Sequence, residues 1–195
     1  MSPYINHPIV EYTYLYLGSQ SEMTPYINHP IVEYTYWYLG CQSEMTPYIN
    51  HPIGVAYILT EEAGITDLSV IQTALLHDTV EDTSTTFDEI EAEFGKEVRD
   101  LVVELSDDKT LMKEDRKRLQ IEHAPHASPK AKLVKLADKL YNLRDLQRTV
   151  PRGWSQQRMQ GYFIWAAQVV AGLRGTNKIM EEALDKIFKE RNVDV

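Results

Sequence analysis

Cysteine is almost absent: Cys41 is the only one among 195 residues. That excludes a disulfide framework and any zinc module built on several thiolates. Lysine and arginine are missing altogether from residues 1–95, although that stretch carries 14 acidic residues. No run approaches the roughly 18 apolar residues of a membrane span, so no membrane is expected as a partner. The N-terminus also lacks the basic start and apolar stretch of a signal peptide, which leaves the cytoplasm as the expected location. The net charge of -9 and the pI near 5.1 argue against general nucleic-acid binding.

What is present suits a globular protein. A hydrophobic fraction of 43% rules out wholesale disorder, and the length fits one domain with an appendage. All 20 basic residues lie in 96–195 beside 15 acids, so the two parts carry -14 and +5. Twelve of those basic residues fall within 109–152. They read either as solvated helix faces or as a positive field for an anionic small molecule, and charge alone leaves both open.

The first 45 residues repeat themselves. Residues 2–23 and 24–45 differ at three positions of 22, and a third copy begins at Thr46 and runs TPYINHPI to Ile53. Two units and a stub are too few to stack a solenoid core. Paired prolines in each unit block one continuous helix, while 10–17 and 32–39 read locally as strand. The expected organisation is therefore an irregular duplicated segment, 1–45, followed by a folded domain, 46–195.

From Gly54 onward the pattern is helical. Helices are expected over 54–63; from an Asp67 cap with Ile71, Ala74, Leu75 and Val80 inward; from a Thr86–Glu89 capping box to Phe94; and over 96–105 and 113–123. A long helix should follow Ser128 and Pro129 to about Arg148, then helices over 154–173 and 177–191. The class is all-α, a helical bundle with short connections.

Chemistry concentrates in a few positions. His7, His29 and His51 are copies within NHP. His77 and Asp78 are adjacent in an apolar helix, with Glu81 and Asp82 one turn on, and Asp138 lies between leucines with Asn142 a turn later. Burying such groups costs several kcal/mol unless something compensates, and a divalent cation would do so. Two other readings stand beside this one. His77 can be a core histidine bonded to a backbone carbonyl, and Asp138 can pair with Lys135 or Lys139. A site of two imidazoles and two carboxylates suits Mn²⁺, Fe²⁺ or Zn²⁺ better than Ca²⁺.

His51, then LLHDTVEDT at 75–83, then KLADKLYNLRDL at 135–146, resembles the HD-domain metal-dependent phosphohydrolases. Segments 62–67, 107–110, 116–122, 153–155, 162–170 and 172–177 are similar to the hydrolase domain of the RelA/SpoT family, in particular its stand-alone metazoan members. The resemblance implies that His51, His77, Asp78 and Asp138 hold Mn²⁺ and that Glu81 and Asp82 serve the hydrolytic step. It further implies that Asn142 and Tyr162 line the nucleotide site. Lys109, Lys113 and Arg144 are candidates to offset phosphate charge.

The implied activity is removal of the 3′-pyrophosphate of guanosine 3′,5′-bis(diphosphate) (ppGpp), with removal of the 2′-phosphate of NADPH as a second reaction. His51 is the expected ligand among the three copies because it alone has the downstream context, 26 residues before His77. The family also carries a basic helix ahead of TPYINHP, and the duplicated segment stands in its place. Two alternatives follow: a catalytically impaired protein that binds metal, or an HD hydrolase for another nucleotide.

Overall fold

The computed structural model describes residues 50–194. The duplicated segment, with its strand-like stretches and with His7 and His29, lies outside the described residues. Every regular element described is helical, and no strand occurs among the described residues, so the all-α class holds.

Helix α1, Asn50–Tyr57, carries His51 and the buried Pro52 in its first turn, where a proline breaks no internal hydrogen bond. It begins four residues earlier than its apolar pattern suggested, so His51 belongs to the helix rather than preceding it. The winding then widens into a π-type stretch, Ile58–Glu62, before Gly64 at φ +68 turns the chain. Helix α2, Leu68–Leu76, starts at an Asp67 cap that accepts from the Ser69 and Val70 amides.

Here the sequence expectation needs correction. The helix does not run through His77–Asp78 to Val80. It ends at Leu76, and a separate turn, α3, covers Thr79–Asp82. Leu76 rather than Leu75 is buried, with Val70, Thr73 and Ala74.

Helices α4, Phe87–Phe94, and α5, Lys96–Leu105, meet at Gly95, and the Thr86–Glu89 capping box forms as its residue types dictate. Helix α6, Lys113–His123, leads through a short 3₁₀ turn, Ala124–His126, to Ser128, which caps α7, Pro129–Arg148. Helices α8, Gln156–Ala171, and α9, Lys178–Glu190, are capped by Ser155 and Asn177.

Helix α7 is the axis of the bundle. It packs against α1, α2, α5, α8, α9 and the π stretch. Burial of Val134, Leu136, Ala137, Leu140, Leu143 and Leu146 follows from neighbours on every side. Glycine permits two close approaches, one of α1 to the Tyr141 ring of α7 and one of the end of α8 to the 3₁₀ turn. A Cβ on Gly54 of α1 would lie 2.0 Å from Cε2 of Tyr141 on α7, and one on Gly172 would meet Pro125 N at 2.9 Å. Asp138 therefore sits mid-axis, facing α1 and the α2–α3 junction.

Candidate metal centre

Donor atoms of His51, His77 and Asp138 converge from three elements, and the Asp78 carboxylate lies against the two histidines. His51 Nε2 lies 3.2 Å from His77 Nε2 and 3.3 Å from Asp138 Oδ1. Asp78 places Oδ1 3.3 Å from His77 Nε2 and Oδ2 3.6 Å from His51 Nε2. His77 Nε2 and Asp138 Oδ1 are 3.9 Å apart. Around an ion with bonds of about 2.0–2.2 Å, neighbouring donors stand roughly 2.8–3.6 Å apart. Four of the five separations fall in that range, and the fifth corresponds to a wider angle.

The helix break explains how adjacent residues share the site. In a continuous helix, successive side chains point about 100° apart. Asp78 instead adopts φ -97, ψ -3, the bridge conformation that active-site residues often occupy, and its carboxylate swings back beside His77. The backbone-bonded reading of His77 holds and is compatible with a ligand role for its other nitrogen. Nδ1–H donates to the Ala74 carbonyl at 2.7 Å, which fixes the tautomer and leaves Nε2 bare for a cation. His51 is held by its ring edge on Tyr141, centroids 5.0 Å apart.

The electrostatics favour a cation. Burial opposes a charged His51, but the hydrogen bond to Asp138 and the charges of Asp138 and Asp78 outweigh it, so its pKa is raised. Burial likewise opposes a charged Asp138, yet Lys139, His51 and His77 keep its carboxyl well below the usual range. Two imidazoles and the Asp138 carboxylate at mutual ligand spacing, with the Asp78 carboxylate alongside, are a donor set that suits a divalent transition ion.

Around this core lie the other residues that the sequence singled out. Asn142 Nδ2 donates to Asp138 Oδ1 at 2.6 Å. Glu81 accepts the Asp107 amide at 2.7 Å, and its carboxyl is pushed up, chiefly by burial. Lys109 Nζ bonds Asp82 Oδ1 and the Glu81 carbonyl, both at 2.6 Å, so its charge is already engaged. Lys113 is exposed on α6. Arg144 forks onto Glu62 at 2.6 and 2.8 Å and braces α7 against the π stretch. Tyr162 feels burial first, then Lys139, Asp138 and Asp78, and its phenol is pushed up to about 12.

Of the two lysines that the sequence offered to Asp138, Lys139 makes the pair; the tryptophan neighbours around it were not singled out. Lys139 is buried and bonds Asp138 Oδ2 at 2.7 Å. Trp165 faces both Lys139 and Lys117, 5.0 and 4.8 Å from its centroid, and its indole N–H donates to the Lys117 carbonyl at 3.0 Å. Arg158 stacks on Trp154, which leans on Tyr162. The signal was a lysine set among leucines beside a candidate ligand; the tryptophan partners were visible only in three dimensions.

This arrangement of histidines and aspartates on a helical bundle defines a class. A family model described as "HD domain" matches residues 40–175, and the chain belongs to that family. It is 69% identical over 143 residues to the human protein named Guanosine-3′,5′-bis(diphosphate) 3′-pyrophosphohydrolase MESH1, covering 73% of this chain and 80% of the relative. The Xenopus tropicalis protein of the same name is 67% identical over the same lengths. A solved structure described as "A metazoan ortholog of SpoT hydrolyzes ppGpp and plays a role in starvation responses" matches with TM-score 0.79 and 50% identity, over 84% of this chain and 94% of that one. Within the HD-domain family the chain therefore groups with the metazoan SpoT homologues.

Proposed function

We propose that this protein hydrolyses ppGpp to GDP and pyrophosphate with one Mn²⁺ held by His51, His77, Asp78 and Asp138. The observation that carries the proposal is the convergence of His51, His77 and Asp138, their donor atoms within 3.9 Å of one another and Asp78 beside both histidines, on a fold shared with a structure described as hydrolysing ppGpp. When bound, the cation would supply charge stabilisation to a phosphoryl oxygen and acidify a water. Manganese is the member of the fitting ions that the family resemblance favours. A cytoplasmic location belongs to the same proposal.

The chain's own residues divide the remaining work. Glu81 is the proposed proton acceptor for water; its carboxyl, raised by burial and held by the Asp107 amide, supports that role. Lys109 holds Asp82 beside it. In the overall reaction one water adds, the ester bond between phosphorus and the ribose 3′ oxygen breaks, and a 3′ hydroxyl and pyrophosphate leave. Tyr162, Asn142 and the basic and aromatic wall of Lys113, Lys117, Trp154 and Arg158 are proposed to receive the nucleotide. Removal of the NADPH 2′-phosphate is a second reading on the same site, since that substrate too carries a phosphate on a ribose secondary hydroxyl.

A steric argument supports His51 over the two upstream copies. Position 54 must be glycine, because a Cβ there meets the Tyr141 ring at 2.0 Å. The equivalent positions after His7 and His29 are Val10 and Val32. Neither copy fits in the place of α1 without displacing the ring that holds the ligand histidine.

The test is turnover by the full chain loaded with Mn²⁺, with GDP and pyrophosphate quantified together. Equal amounts of both, lost on chelation and in His51→Ala but kept in His29→Ala, are expected. A loaded chain that releases no pyrophosphate from ppGpp would overturn the proposal in favour of an impaired binding protein.

A further inference from the structure

Asp138 is the one ligand whose two oxygens are used unequally. Oδ1 faces the histidines and accepts from Asn142, whereas Oδ2 is bonded by Lys139 Nζ at 2.7 Å. Lys139 is 6% exposed, so this contact is shielded from water and from salt. Its ammonium is boxed in on a second side by the Trp165 ring at 5.0 Å. Trp165 is itself fixed by donating its indole N–H to the Lys117 carbonyl on α6. A cation over an indole face is attracted by the negative face of the ring, most strongly where water is excluded, and this favours one rotamer of the long side chain.

An unrestrained carboxylate can offer an ion either one oxygen or both. Here a fixed positive charge occupies the second oxygen. We propose that Lys139, set by Trp165, is a positioning residue that keeps Asp138 a one-oxygen ligand and so leaves a coordination position open for the reacting groups. The arrangement trades cation affinity for an open position, because Lys139 both repels the incoming ion and withholds Oδ2. Catalytic metal sites differ from purely structural ones by retaining such an opening. Trp165 thereby ties α6, which carries Lys113 and Lys117, to the geometry of the ligand set.

The inference rests on the proposed cation site, and calorimetric titration of metal-stripped full chain with Mn²⁺ separates failure of the one from failure of the other. Lys139→Met keeps the length and apolar stem of the side chain and removes the charge. It is expected to bind Mn²⁺ about tenfold more tightly than the parent, with a larger rise in melting temperature on metal addition, while kcat for ppGpp falls at least tenfold with little change in KM. Lys139→Arg should return both quantities toward the parent, and Trp165→Phe should lie between parent and Lys139→Met. Weaker Mn²⁺ binding in Lys139→Met would overturn the inference, as would unchanged binding with a raised KM, which would place Lys139 on the substrate instead. A parent chain that binds no Mn²⁺ would instead defeat the underlying site.

Discussion

Single side chains in this protein answer to more than one neighbour. His77 is at once a core histidine bonded to the Ala74 carbonyl through Nδ1 and a neighbour of His51 and Asp78 through Nε2. Asp138 is at once the partner of Lys139 and the neighbour of His51. Competing readings of the sequence described different atoms of the same residues, which is why residue types alone could not choose between them. Identities and order of the candidate ligands were legible, because few buried positions tolerate His and Asp without compensation. Lys139 was legible only as one of two possible partners of Asp138, and Tyr141 not at all, since nothing local shows which side of a buried helix meets a ligand. Glu81 gives a prediction here. Glu81→Gln keeps the acceptor for the Asp107 amide but cannot take a proton. It should lower kcat for ppGpp by about 10²–10⁴-fold and leave Mn²⁺ affinity within about twofold. Loss of cation binding in that variant would mean that Glu81 is a ligand rather than a base.

Helices, in turn, obey their terminal residues closely. Asp67, Thr86, Ser128, Ser155 and Asn177 each accept an amide at a helix start; the first three were legible as caps by type and position, whereas the expected helix from 154 put Ser155 inside it. The α2–α3 break was invisible because apolar spacing continues across it; the backbone turns there to bring Asp78 to the site. Asp67 makes the element energetics testable. The Lys130 and Ser69 hydrogen bonds lower its carboxyl from 3.8 to about 2. A depressed carboxylate adds stability above the unfolded pKa and loses it as pH falls through the folded one. Asp67→Asn, which still caps, should therefore flatten the loss of melting temperature between pH 4 and pH 2. Asp67→Ala should in addition cost about 1 kcal/mol at neutral pH. An unchanged acid limb in both variants would contradict the pairing. On α1, Gly54→Val should weaken Mn²⁺ binding at least tenfold by pushing Tyr141 off His51, and Tyr141→Ala in the same chain should recover part of it. Parental affinity in Gly54→Val would show that the ring yields without moving the ligand.

Across the whole chain, charge and site face the same problem. An overall -9 would repel an anionic nucleotide, yet Lys113, Lys117, Lys139 and Arg158 crowd together so that burial and mutual repulsion lower the Lys117 ammonium. That local reversal of sign is what the proposed nucleotide-binding role of these residues draws on. The all-α class was legible from periodicity and caps, whereas the meeting of α1, the α2–α3 junction and α7 is a long-range fact that no window of sequence contains. If one ion joins those three elements, it binds only the folded chain and stabilises it by mass action, about 2.7 kcal/mol at a hundredfold excess over its Kd. Calorimetric titration of the metal-stripped chain with Mn²⁺, read together with melting temperature, examines this directly. The account predicts one saturable site per chain, a raised melting temperature, and loss of both in His51→Ala but not in His29→Ala. No saturable binding, or the same binding in His51→Ala as in the parent, would contradict it.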